Sequence, residues 1–254
     1  MSTDNKTKIV LFSGGIASFE VGRLVLEKYG KENVKFWFFD TLIEDESLYR
    51  FLDQCEDFLG ITIERFSDGR NFWEVFRDER FIGNSRVPLC NRVLKRELLE
   101  KKLKHEFPFN NVILFLGYEY TETDRMEKAK FKWNEKGYDV SFPLASAPHQ
   151  EKVDLINKLQ KYGLEIPRLY DLGFKHNNCG GACVRAGINQ WQLLLELFPE
   201  RYLWHERQEQ KIRNYLNKDV AILRDRTGGV TKPLTLRKLR LRTNGKNFLE
   251  RGKK

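Results

Sequence analysis

Four clusters in this chain carry chemistry by residue type and spacing. The first is Ser13-Gly14-Gly15-Ile16-Ala17-Ser18, directly after the apolar run Lys8–Phe12. Two glycines let backbone N–H groups approach a phosphate, the serines add hydroxyl donors, and a helix beginning here adds partial positive charge. No Gly-Lys-Ser/Thr follows, so this is not the Walker pattern; the alternative is a plain tight turn. The second cluster is Asp40-Thr41 with Glu44 close behind. A carboxylate there suits a ribose hydroxyl, a metal or a purine amino group, and the alternative is a helix cap. The third runs from Gly117 through Glu119 and Glu122 to Arg125. A glycine leaving a strand, then acids and an arginine, suits a turn that presents a guanidinium to phosphate or sulfate; a solvated loop is the alternative.

Cysteine supplies the fourth. Cys179-Gly180-Gly181-Ala182-Cys183 holds two thiols, and its glycines let the backbone wrap a metal or an iron–sulfur cluster. Cys90 opens a predicted helix, whose dipole is expected to favour its thiolate. If Cys90 meets the pair, three thiolates leave one position open on a [4Fe–4S] cluster, or complete a Zn²⁺ site with His176 or water. Cys55 falls on an apolar helix face with Leu52 and Leu59 and reads as core.

The elements that must position these clusters follow from hydrophobic periodicity. Lys8–Phe12, Val34–Phe39, Ile61–Phe66, Asn111–Leu116 and Val140–Phe142 read as strands. Ser18–Tyr29, Glu46–Leu59, Phe72–Arg80 and Cys90–Glu106 have helical character between them. Alternation of this kind predicts an α/β fold: an open parallel sheet with helices on both faces. Ligands of such sheets bind at the carboxyl ends of strands, where the first three clusters fall. Beyond Pro148 the strand signal fades, and Gln150–Tyr162 and Asn189–Asn217 read as helices. The expected organisation is an α/β domain over 1–178 and a cysteine-containing helical extension over 179–254, with a seam near Cys179–Cys183.

The chain has 254 residues, 41% hydrophobic and 13% aromatic with only 7 Pro, which excludes a disordered or collagen-like polymer. No apolar run approaches the roughly 18 residues needed to span a bilayer, so no membrane partner is expected. MSTDNKTK is followed by no apolar signal core; the expected compartment is the cytoplasm, where four cysteines serve as ligands, catalysts or core. The net charge of +9 resides in Arg224–Lys254, and the rest is neutral. Such a tail suits a polyanion such as DNA or tRNA; a solvated arm is the alternative. Oligomeric state is open, a homodimer being one reading.

Taken in order, these blocks resemble the phosphoadenosine phosphosulfate (PAPS) reductase family of the PP-loop, adenine nucleotide alpha-hydrolase-like superfamily. Ser13-Gly14-Gly15-x-x-Ser18 is similar to the pyrophosphate-binding PP-loop. Asp40-Thr41 with Glu44 matches the block after strand two, and Cys90 through Leu94-Lys95 the Cys-x-x-x-Leu-Lys block. Gly117, Glu122 and Arg125 resemble the Gly-x-Arg-x-x-Glu-x-x-Arg segment; Pro143-Leu144, Leu169-Tyr170, Gly173-Phe174 and Cys179 with Cys183 follow the last block. The resemblance spans Ile9 to about Trp191. It implies ATP or a related adenine nucleotide held by Ser13, Gly14, Gly15, Ser18, Asp40, Thr41, Gly117 and Glu122, with Mg²⁺ as an accompanying ion. It also implies Cys90, Cys179, Cys183 and Arg125 as catalytic residues, the three cysteines doubling as metal ligands.

Three departures bear on function. Ala17 stands where the Ser-Gly-Gly-x-Asp-Ser form has Asp, which removes a contact to Mg²⁺-pyrophosphate. Glu119 replaces the Arg of Gly-x-Arg, and no Cys follows Cys183, so the tail thiol of thioredoxin-linked reductases is missing. The resemblance is therefore strongest to the branch of nucleic-acid sulfur-transfer proteins. In that branch ATP adenylates a nucleic-acid oxygen and sulfur carried on the cluster displaces AMP. A sulfonucleotide (PAPS or APS) reductase and a non-catalytic binding module with structural zinc are the alternatives.

Overall fold

The computed structural model describes residues 5–107, 111–146 and 148–251, with side chains to residue 243. The chain divides into two compact units. The first comprises Met1–Asp40, Asp45–Ser67 and Leu98–Leu172, and the second Thr41–Glu44, Asp68–Glu97 and Gly173–Lys254.

The first unit is built on β1 (Thr7–Leu11), α1 (Ile16–Tyr29), β2 (Val34–Asp40), α2 (Glu46–Leu59) and β3 (Ile63–Ser67). The second unit contributes α3 (Phe72–Asp78) and α4 (Leu89–Asn91), and the first resumes with α5 (Leu98–Glu106), β4 (Val112–Phe115), α6 (Thr123–Asn134), β5 (Asp139–Ser141) and α7 (Lys152–Lys161). The five strands form one parallel sheet in the order β3-β2-β1-β4-β5. Successive strand residues point to opposite faces. Val10, Phe36 and Phe38 pack with Phe19, Phe51 and Leu155 of α1, α2 and α7. Ile9, Trp37 and Leu114 pack with Leu99, Leu103 and Trp133 of α5 and α6. Helices cover both faces, which is why β2 reads as a continuous apolar run. Strand order reverses between β1 and β4, so the crevice at their carboxyl ends is the place such sheets offer a ligand.

In the second unit α4 passes into a π-helical turn, Arg92–Glu97. Further on come α8 (Ile188–Leu197), α9 (Pro199–Leu216), the antiparallel hairpin β6 (Leu223–Asp225) and β7 (Lys232–Leu234), and α10 (Leu236–Arg251). Trp191 and Tyr202 are fully buried here. Trp73 Nε1 donates to His205 Nδ1 at 2.9 Å, and Tyr202 Oη to the Leu236 carbonyl at 2.7 Å. Burial of the neutral imidazole moves His205 down to about 3.

The structure departs from the sequence expectations at several points. The continuous helix expected over Asn189–Asn217 is broken at Phe198, which sits at φ −136° because Pro199 bars the residue before it from helical geometry. Thr123–Asn134, to which the sequence reading assigns no element, is helix α6; its only buried residue is Trp133, which left no periodic signal. The second unit recruits 68–97 because α3 packs on α9 through Trp73 and His205. The basic segment from Arg224 begins as a hairpin and helix, with Leu234, Leu236 and Leu239 buried and Leu241 exposed. Residues 252–254, also part of that expectation, lie outside the described residues.

Candidate functional site

Each unit carries one chemical centre. In the first unit β1 ends at Leu11, the Phe12 amide still donates to the Trp37 carbonyl at 2.9 Å, and the chain turns through Ser13-Gly14-Gly15 into α1. Gly14 has φ +74°, and a Cβ there would lie 2.8 Å from Leu48 Cγ, so conformation and space both demand glycine. Ser18, 3% exposed, ties the turn shut. Its Oγ donates to the Gly15 carbonyl at 2.8 Å and accepts from Gly15 N–H at 3.2 Å and Ser13 Oγ at 3.1 Å. The serine hydroxyls therefore brace the loop. The first amides of α1, Ile16 and Ala17, are left by helix geometry without intrahelical acceptors.

Gly117, leaving β4, brings backbone against backbone: a Cβ there would come within 3.2 Å of Ser18 N. Tyr170 Oη faces the same turn, 3.2 Å from where a Gly15 Cβ would stand, and Lys152 Nζ lies 4.4 Å above the Tyr170 ring. Sequence reasoning omitted Lys152; only its place at the start of α7 could have signalled it. Glu122 caps the turn before α6, accepting the Glu119 amide at 3.1 Å, and ion-pairs with Arg125. The Arg125 guanidinium also lies 4.5 Å from the Tyr118 ring centre, so it is engaged locally instead of extending from an open loop. Asp40 accepts from Tyr49 Oη at 2.9 Å. Beside it the fully buried Asp45, not singled out in the sequence, caps α2 and takes both Nε and Nη2 of Arg168 at 2.9 and 2.8 Å.

The second unit gathers the thiols. Cys90 on α4 is close enough to Cys183 to feel its charge, and Cys179 hydrogen-bonds to Cys183. Lys95, from the π-helical turn, interacts with all three sulfurs and with Glu44, whose Oε1 lies 4.0 Å from Lys95 Nζ. Glu44 also accepts from Thr41 Oγ1 at 2.8 Å and from the Cys179 amide. Thr41, which the resemblance implies for the nucleotide, is hydrogen-bonded here to Glu44 beside Cys179. Cys179 holds a left-handed φ of 55°, and Arg201 Nη1 fixes the next carbonyl, that of Gly180, at 2.8 Å. Asn177 is 3% exposed, and neither its Nδ2 nor its Oδ1 has a partner among the described residues.

The electrostatics differ from thiol to thiol. The helix that begins at Leu89 continues unbroken through Arg92–Glu97, and the amides of Asn91 and Cys90 at its start do lower Cys90, but burial, followed by the charge of Cys183, outweighs them and pushes it up to about 11. Cys179 donates to Cys183 and is raised. Cys183 is lowered by that bond, with the Arg185 amide and Lys95 helping against burial. Burial pulls Lys95 down, but Glu44 and then the cysteines outweigh it and hold it charged. Cys55 is fully buried in the sheet core, as its helix face indicated. His176 is exposed, and among the described residues no group of three or more His, Cys, Asp or Glu is spaced to hold a metal ion.

Residues 7–181 match the phosphoadenosine phosphosulfate reductase domain. The chain belongs to that family. The match contains the glycine turn, Cys90, Lys95 and Cys179, and stops short of Cys183 and the hairpin–helix end of the second unit. Among solved structures, the phosphate complex of PAPS reductase from Candida auris aligns with 68% of this chain and 79% of its own, at 15% identity and a TM-score of 0.46. No curated protein matches. Family members act on adenine-nucleotide substrates, and this chain's five-stranded parallel sheet with flanking helices is an α/β fold. No helix among the described residues is long and apolar enough to cross a membrane.

Proposed function

We propose that this PAPS-reductase-family protein is an adenine-nucleotide-dependent sulfur-transfer enzyme. The observation that carries the reading is the meeting of Cys90, Cys179 and Cys183 around Lys95 in a chain that also presents a glycine-turn phosphate loop. The amides opening α1 would hold the nucleotide phosphates and stabilise negative charge on a leaving pyrophosphate. Ser13 and Ser18 keep the turn closed, Tyr170 and Lys152 border it, and Lys95 balances negative charge among the sulfurs.

The donor set fits an iron–sulfur cluster in its chemistry: three soft sulfurs, a compensating cation and the unpartnered Asn177 amide two residues from Cys179. Cys90, Cys179 and Cys183 would hold it, and an iron without a protein ligand would supply a site for a transferable sulfur. In this reading the chain's residues position the nucleotide, and Lys95 offsets the negative charge of the three thiolates.

A sulfonucleotide reductase is the second reading, favoured by Ala17: without an acid at that position the loop binds phosphates but lacks a group to hold Mg²⁺ against a departing pyrophosphate. The deciding experiment is anaerobic purification followed by parallel titration with ATP, PAPS and APS, scoring metal content, absorption near 400 nm, and release of AMP, pyrophosphate or sulfite. ATP binding with pyrophosphate or AMP release in the presence of a nucleic acid and a sulfur donor supports transfer. Preferential PAPS or APS binding, with sulfite released once a dithiol reductant is added to supply the two electrons, replaces it with reduction. Zinc without iron removes the cluster.

A further inference from the structure

The second unit carries a feature that neither centre uses. Two cavities of about 400 and 320 Å³ adjoin, sharing Arg86 and Val87 in their walls. Arg92 and Arg96 line the first, and Arg224 and Arg226 line the second. The only acid in either wall is Glu79, which is paired with Arg92 at 3.0 Å. Arg86, Arg96, Arg224 and Arg226 make no ion pair among the described residues, and Arg96 Nε is buried without a hydrogen-bond partner. Five arginines against one acid leave the two walls with uncompensated positive charge, which an anion with several acceptor oxygens would match. Phe81, 41% exposed, and Val87, 50% exposed, give the same walls an apolar surface.

We propose that this groove binds a single-stranded nucleic acid, with phosphates on the arginines and an unstacked base against Phe81. Arginine forks match phosphate oxygens, and an aromatic face takes any base, the combination by which proteins hold single strands. Arg86, Arg92 and Arg96 around one cavity and Arg224 and Arg226 around the next suit phosphates spaced along a strand that passes through both. A duplex keeps its bases stacked and cannot use the apolar wall. The groove runs to the thiol centre along the chain: Pro88 and Leu89 form part of its wall, Cys90 is the next residue on α4, and Arg92 and Arg96 flank Lys95 on the following turn. Binding stands on these residues alone; that the strand is the sulfur acceptor rests on the transfer reading above.

The test is fluorescence anisotropy of the full chain with a 12-nucleotide single-stranded DNA, the RNA of the same sequence, the DNA duplex and an acidic peptide of equal charge, across a salt series, without nucleotide or sulfur donor. Either single strand should bind more tightly than the duplex or the peptide. Arg86→Ala/Arg96→Ala should weaken it at least tenfold and reduce the log–log salt slope by about 1.4, at roughly 0.7 for each phosphate no longer neutralised. Lys128→Ala/Lys130→Ala, an equal loss of charge on α6 in the first unit, should change affinity less than threefold. Arg224→Ala/Arg226→Ala, on the exposed hairpin, repeats the test if the first variant fails to fold. Absence of strand binding, equal losses in groove and α6 variants, or tighter binding of duplex or peptide would overturn the proposal. Strand binding without nucleotide-dependent turnover would leave the groove standing and remove the transfer reading.

Discussion

Between Ser13 and Ser18 the polypeptide presents its chemistry in consecutive residues and through backbone amides, whereas the thiol centre draws Glu44, Cys90, Lys95 and Cys179 with Cys183 from separate stretches and works through side chains. A loop of the first kind fails when its path is altered and tolerates changes in its hydroxyls. A cluster of the second kind fails when one charge is left without its counterpart, because each group sets the protonation of the others. The sensitive atoms therefore differ: Cα positions in one centre, ionisable heads in the other.

The largest effect should come from the cluster. Glu44→Ala strands the Thr41 hydroxyl, the Cys179 amide and the Lys95 charge, and should cost about 3 kcal/mol in urea unfolding, as breaking a buried charge pair does. Glu44→Gln keeps acceptor and shape and should lose less than half as much. If the two variants lose equally, the charge is not what matters.

Gly14→Ala comes next, at about 2 kcal/mol, from a left-handed φ together with the clash against Leu48. Adenine-nucleotide binding, followed by calorimetric titration, should fall with it. A variant that folds less stably yet binds unchanged would show that the turn does not hold the phosphates.

Glu209 extends the contrast to pH. Buried in the second unit, it accepts the amides of Ile222 and Leu236 at 3.1 and 2.7 Å, and burial moves it up to about 7 from its ordinary value of 4.5. A raised folded value means the native state holds this proton more tightly than the unfolded chain. The associated stability is full below about 4.5 and is lost as pH rises through about 7, amounting to roughly 3 kcal/mol at about 1.36 per pK unit. Glu209→Gln should flatten that part of the stability–pH curve, measured by thermal unfolding in matched buffers. An unchanged slope would place the titration elsewhere.

Ser18→Ala should be the mildest, about 1 kcal/mol in stability with nucleotide affinity changed less than tenfold, because its hydroxyl bonds the loop and not a ligand. A hundredfold loss of affinity would turn Ser18 from a brace into a direct phosphate donor.

The same division decides what can be read before any coordinates. The sheet, its helices and the glycine turn are legible because their signals are local: apolar runs in β1, β2 and β4, and two glycines where a strand stops. The cysteines are visible as types, but Lys95 enters only as part of a motif, and the Glu44–Cys179 bond joins residues that share no local pattern. The Cys90 expectation fails because its helix forms but the opening amides are outweighed by burial and by the charge of Cys183, neither of which the local sequence reveals. The arginine groove stays hidden because Arg86 and Arg96 look like ordinary surface charge, and only the fold brings the cavity they line beside the one lined by Arg224 and Arg226 of the basic segment.

Cys179 occupies a backbone region where glycine sits at ease and an L-residue is strained by about 1–3 kcal/mol. Selection for heat tolerance alone would therefore reward Cys179→Gly, trading sulfur for a relaxed main chain. Any programme to harden this protein should screen for retained thiol content alongside melting temperature, or it will breed sturdier molecules with one fewer sulfur.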